Sequence, residues 1–184
     1  MTAIVGILHG ESVWIGGDAA GVGGLSLTTR KDPKVFRNGE FIVGYTSSFR
    51  MGQLLEFAFA PPKPMESESI MPYMVTRFVP AIRDCLKSGG FQTTDKGQEF
   101  GGTFLVGYRG ELFEIESDYQ VSRVRASFNA CGCGRDIALG SLHTTQSMKL
   151  PPEKRITMAL EAASEFSAGV RGQFTIVSSK RARK

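Results

Sequence analysis

Thr2-Ala3-Ile4-Val5-Gly6-Ile7-Leu8-His9-Gly10-Glu11-Ser12-Val13-Trp14-Ile15-Gly16-Gly17-Asp18 contains two apolar runs, residues 2–8 and 13–18, joined across His9-Gly10-Glu11. Short apolar runs bounded by turn residues read as strands, and so short a join reads as a buried hairpin. The second run ends on two glycines and a carboxylate. Antiparallel pairing therefore returns Asp18 to the neighbourhood of the chain's start.

Outward from this hairpin, Lys34-Val35-Phe36-Arg37 and Phe41-Ile42-Val43-Gly44-Tyr45 flank Asn38-Gly39, a pair favoured in two-residue turns because both positions tolerate positive φ. A second hairpin is predicted there. Met51, Leu54, Leu55, Ala58 and Phe59 recur at helical spacing until Pro61-Pro62, which predicts a helix over 49–59. Ile70, Met74, Phe78, Ile82 and Leu86 belong to a stripe with a period of 3.6 residues, with Pro80 as a bend and Gly89-Gly90 as an exit. Thr103 to Tyr108 and Leu112 to Ile115 form another strand pair around Arg109-Gly110-Glu111. Arg135 to about Gln146 and Glu153 to Ala168 read as helices, the latter opened by Pro151-Pro152, and Gln173 to Val177 reads as a closing strand. These elements do not alternate as βαβ units, so a doubly wound parallel sheet is excluded in favour of an α+β arrangement of two packed sheets covered by helices.

A chain of 184 residues with 41% hydrophobic residues can bury a core as one domain, assigned to 1–179, followed by a basic tail at 180–184. No apolar run approaches the roughly 20 residues of a membrane span, and the start lacks a charged n-region and cleavage site, so a cytoplasmic protein is expected. Cys85, Cys131 and Cys133 have neither a secreted disulfide spacing nor a C-x-x-C spacing and read as reduced thiols. His9 and His143 sit in no metal-type cluster, and neither metal nor cofactor is expected. The net charge of +4 resides in Lys180, Arg181, Arg183 and Lys184; without them 18 basic residues face 18 acidic ones. A neutral body offers no phosphate-binding field, and nucleic-acid binding through the tail is the weaker reading.

The chemistry concentrates near the start. Thr2 opens the first strand, Asp18 returns beside it, and Lys34 follows sixteen residues later, where its ammonium can meet that carboxylate. Singly, Asp18 is also a turn residue and Lys34 also a strand end; their joint spacing points to a site. Gly44-Tyr45-Thr46-Ser47-Ser48 then runs from a strand into a helix, a place where backbone N–H groups can face a developing oxyanion.

Thr-x-Ile-Val-Gly at 2–6, Ile-Gly-Gly-Asp at 15–18, Lys34-Val35 and Gly132-Cys133-Gly134 together resemble the proteasome β-subunit and HslV family of N-terminal nucleophile hydrolases. The resemblance spans nearly the whole chain. It implies a four-layer α/β/β/α sandwich and a threonine-type peptidase, with Thr2, Asp18 and Lys34 as catalytic residues. Cys133 stands where relatives carry serine, and the family's oxyanion-loop glycine falls near Ser47, whose N–H can still donate. The family's Asp-x-x-Ser pattern aligns on Glu165-Phe166-Ser167-Ala168, making Glu165 the candidate acid and replacing the serine by Ala168.

The implied chemistry requires a free Thr2 amine, and the small side chain after Met1 makes methionine removal the expectation. An α-amine, with a reference pKa of about 7.7–8.0, is then the base that takes the threonine hydroxyl proton. The resemblance also implies a homo-oligomer of two stacked rings of six or seven subunits, a peptide or unfolded-protein substrate and no membrane partner, with the helices over 49–59 and 70–86 as contact elements. No G-x-x-x-x-G-K-[ST] phosphate loop is present, so an ATP-dependent unfoldase would be a separate chain. The alternative reading is a catalytically silent ring subunit that serves assembly alone.

Overall fold

The computed structural model describes residues 1–65 and 67–179; the basic tail at 180–184, and the nucleic-acid reading that depends on it, lie outside them. The opening hairpin consists of β1 (Ala3–His9) and β2 (Ser12–Gly17), antiparallel, with Ile4 opposite Gly17 and Ile7 opposite Trp14. Two further strands, β3 (Ala20–Gly23) and β4 (Ser26–Thr29), form a separate two-stranded sheet. Next come β5 (Val35–Asn38) and β6 (Phe41–Tyr45). Asn38 faces Phe41 across this pair, so the two turn residues are Gly39 and Glu40, one step later than predicted, and Gly39 takes the left-handed conformation at φ 59°.

Helix α1 (Phe49–Gln53) starts at Ser48, whose hydroxyl accepts from the Arg50 N–H, and continues as a π-helical turn at Leu54–Ala58. Helix α2 (Ile70–Tyr73) likewise runs into a π-helical turn at Met74–Phe78, followed by α3 (Val79–Ser88), which has Pro80 in its first turn. The predicted bend at Pro80 is thus a change of helical winding just before it. Strands β7 (Thr93–Asp95) and β8 (Gln98–Phe100) form a small separate hairpin; β9 (Phe104–Tyr108), β10 (Glu111–Ile115), β11 (Val121–Ser122) and β12 (Phe128–Gly132) follow. Helices α4 (Arg135–Thr145) and α5 (Pro152–Phe166) precede β13 (Thr175–Ser178).

One sheet has the order β12-β1-β2-β13 and the other β11-β10-β9-β6-β5. The twofold alternation of β1 explains their stacking. Ala3, Val5 and Ile7 pack with Ala138, Leu142, Ile156 and Leu160 of α4 and α5, whereas Ile4 points to Val35, Ile42 and Leu105 of the other sheet. The outer face of that second sheet buries Phe41, Tyr45 and Tyr108 against Met51, Tyr73, Phe78 and Ile82 of α1 to α3. The result is helix, sheet, sheet, helix, the four-layer architecture that the resemblance implies.

Glycines at the end of β2 set the layer spacing. A Cβ on Gly16 would lie 2.4 Å from Ile156 of α5, and one on Gly17 would lie 2.9 Å from Val35 of the facing sheet. Gly16 thus admits the helix and Gly17 the second sheet, which fixes where Asp18 emerges. No helix among the described residues is long and apolar enough to cross a membrane.

Candidate active site

Thr2, 4% exposed, lies just before β1, and three elements converge on it. β12 ends beside it, with Gly132 opposite Ala3. Gly132 has φ 93°, and a Cβ there would stand 2.2 Å from the Thr2 carbonyl oxygen, so only glycine fits both the backbone and the gap. This turn presents Cys133: the Thr2 backbone N–H donates to its Sγ at 3.2 Å, and Sγ donates to the Thr2 carbonyl oxygen at 3.4 Å.

Asp18 follows β2 and has all its acceptor directions filled. Oδ1 accepts from the Ala3 N–H at 3.0 Å and from Lys34 Nζ at 2.9 Å; Oδ2 accepts from the N–H groups of Ala20 at 2.8 Å and Arg171 at 3.4 Å. The Lys34 ammonium is buried beside it and donates also to Thr2 Oγ1 at 2.8 Å. Desolvation pushes the Lys34 pKa below its ordinary value, and the Asp18 carboxylate opposes that shift by favouring the charged form. The Thr2 hydroxyl in turn donates to the Met1 carbonyl oxygen at 2.5 Å. With Met1 in place, the Thr2 nitrogen is an amide.

A cleft of about 330 Å³ opens at this point, lined among others by Met1, Thr2, Lys34, Ser47 and Phe49. Ser47 leads from β6 into α1 with φ 63°, an uncommon left-handed conformation for a residue with a side chain. Thr103 holds it there: the Thr46 N–H donates to the Thr103 carbonyl at 3.0 Å, and the Thr103 N–H donates to Ser47 Oγ at 3.1 Å. The Ser47 N–H has no acceptor among the described residues.

Thr2, Asp18, Lys34 and Cys133 are therefore in one hydrogen-bonded cluster, with Ser47 on the wall of the same cleft. Glu165 is not brought in. It is exposed near the end of α5, and its carboxylate makes no hydrogen bond or ion pair among the described residues. The hydroxyl that reaches Cys133 is Ser167 Oγ, 3.5 Å from Sγ. Arg171, whose N–H meets Asp18, carries no local signature and was not singled out by sequence reasoning.

No protein-family model matches the sequence, and no curated protein does. Solved structures do match. BPH from Thiobacillus denitrificans, solved in complex with epoxomicin, superposes with a TM-score of 0.78 at 18% identity, covering 96% of this chain and 97% of that one. HslV from Trypanosoma brucei gives 0.69 at 17% identity over 96% and 98% of the two chains. The Anbu (ancestral beta-subunit) of Yersinia bercovieri gives 0.66 at 12% identity over 96% and 81%. Across nearly its whole described length, this chain has the N-terminal nucleophile hydrolase fold of the HslV and proteasome β-subunit family.

Proposed function

We propose that this chain is a threonine-type endopeptidase subunit in which Thr2, freed by removal of Met1, is the nucleophile. The observation that carries the reading is the Lys34 ammonium, buried 2.8 Å from Thr2 Oγ1 and 2.9 Å from Asp18 Oδ1 at the mouth of the cleft. A threonine hydroxyl attacks a carbonyl only if its proton is accepted and its developing charge stabilised. The free α-amine accepts the proton, and Lys34 stabilises the alkoxide. Asp18 fixes Lys34 in place, and the Cys133 Sγ accepts from the Thr2 nitrogen, which orients it.

Attack forms the Thr2 Oγ–C bond, and the tetrahedral oxyanion takes the Ser47 N–H as a donor. Collapse breaks the peptide C–N bond, with the ammonium proton passing to the leaving nitrogen. Water then attacks the Thr2 ester, losing a proton to the amine, and ester cleavage returns a proton to Thr2 Oγ. The substrate class is peptide or unfolded protein. A site of this kind is compatible with a cytoplasm only inside a chamber, so the working form is a closed homo-oligomer of two stacked rings, fed by a separate ATP-dependent unfoldase where folded proteins are degraded.

Hydrolysis of peptide substrates by wild type and Thr2→Ala, with light scattering on both, tests the reading. Wild type should turn over, Thr2→Ala should be inactive, and both should share one oligomeric mass. Undiminished turnover in Thr2→Ala would sink the mechanism, a stable monomer would sink the chamber, and an inactive wild type lacking Met1 would favour a silent ring subunit.

A further inference from the structure

Beyond α5 the chain returns toward the site through Ser167-Ala168-Gly169-Val170-Arg171. A helix end leaves carbonyls without partners and carries partial negative charge. The Arg171 side chain meets both needs. Its Nη1 donates to the carbonyl oxygen of Ser164, in the last turn of α5, at 2.6 Å and to that of Val170 at 2.9 Å. Arg171 forms no salt bridge with a carboxylate among the described residues, so its charge is directed at the helix end. Its main chain faces the other way: the N–H donates to Asp18 Oδ2 at 3.4 Å, and the carbonyl accepts from the Ala19 N–H at 3.0 Å.

Between these two anchors lie the residues that support the Thr2 nitrogen. Ser167 touches Cys133, Gly169 approaches so closely that a Cβ on it would be 2.7 Å from the Cys133 Sγ, and Val170 is fully buried beside Gly134. The return loop thus connects Asp18 on one side of Thr2 with Cys133 on the other. Side-chain hydrogen bonds to the body run through Arg171 and Ser167, and the Ser164 hydroxyl of α5 also donates to the Val170 carbonyl oxygen at 3.4 Å.

We infer that Arg171 is a positioning residue for the peptidase site, its guanidinium clamping the 167–171 loop so that Asp18 and Cys133 hold Lys34 and the Thr2 amine in register. This rests on the peptidase reading given above. A cation with two donors is required: methionine keeps part of the stem but loses both the carbonyl contacts and the charge, and the shorter glutamine keeps N–H donors without the charge.

The test uses the oligomer carrying Arg171→Met, Arg171→Gln and Arg171→Lys, read in two ways. The first is the rate of Cys133 alkylation by iodoacetamide, followed by peptide mass, which needs no activity. The second is the rate of epoxomicin attachment to Met1-free chains. Arg171→Met should raise Cys133 alkylation at least fivefold and slow epoxomicin attachment at least tenfold, with Arg171→Gln intermediate and Arg171→Lys within threefold of wild type in both. If Arg171→Met does not fold, the ordering of Gln and Lys decides. Unchanged alkylation in the folded neutral variants overturns the clamp; raised alkylation with unchanged epoxomicin attachment overturns its link to Thr2. A wild type that never takes up epoxomicin counts against the peptidase reading instead, and alkylation alone then decides for or against the clamp.

Discussion

Lys34 holds a charge where burial disfavours one, and this has a measurable consequence. Its folded-state pKa lies below the ordinary lysine value because of desolvation, with Asp18 only partly compensating. Between the lowered value and the ordinary one, the unfolded chain binds the proton that the folded chain has lost. Stability contributed by this group therefore rises with pH through that window. Urea midpoints of wild type, compared with Lys34→Met between neutral pH and pH of about 10, should show a steeper rise for wild type; parallel curves would contradict the burial argument. The same variant should lose peptide turnover by roughly 10²–10³-fold, the scale of losing one preorganised stabiliser of developing negative charge. Near-normal rates would mean that another cation stabilises the alkoxide.

The fold rests on how close its layers come, and β2 is where that closeness is sharpest. Gly16→Ala would set a methyl 2.4 Å from Ile156 and should cost about 1–3 kcal/mol, the usual range for overpacking, measured by urea unfolding. An unchanged midpoint would mean that α5 does not bear on β2 as described. Elements with a clean local period were legible in the sequence: the β1–β2 hairpin, the Arg109-Gly110 turn and the stripe from Ile70 to Leu86. β12 was not, because Phe128-Asn129-Ala130-Cys131-Gly132 places an asparagine in a buried strand. The structure satisfies it across the two sheets, where Asn129 Nδ2 donates to the Glu114 Oε2 at 2.8 Å. The β3–β4 hairpin was missed for the opposite reason: β4 is exposed at every position and has no buried face to pattern. Thr2, Asp18 and Lys34 were legible as candidates because their spacing follows the strands. Arg171 was not, since what locates it is the loop's return to Asp18, a contact 153 residues apart in the chain.

At the scale of the whole chain, the account turns on one covalent bond. Every side chain of the cluster is in place with Met1 attached, yet an amide nitrogen cannot accept a proton, so under the proposed mechanism the Met1-bearing chain lacks its base. An epoxyketone such as epoxomicin reports on this directly, because its lasting adduct uses both the hydroxyl and the free amine of the terminal residue. The measurement is intact mass spectrometry of one preparation containing both forms, after incubation with epoxomicin. Chains that begin at Thr2 should gain the mass of one inhibitor, Met1-bearing chains should gain none, and peptide turnover should scale with the Met1-free fraction; labelling or full activity of Met1-bearing chains would contradict the assignment of the Thr2 amine as the base.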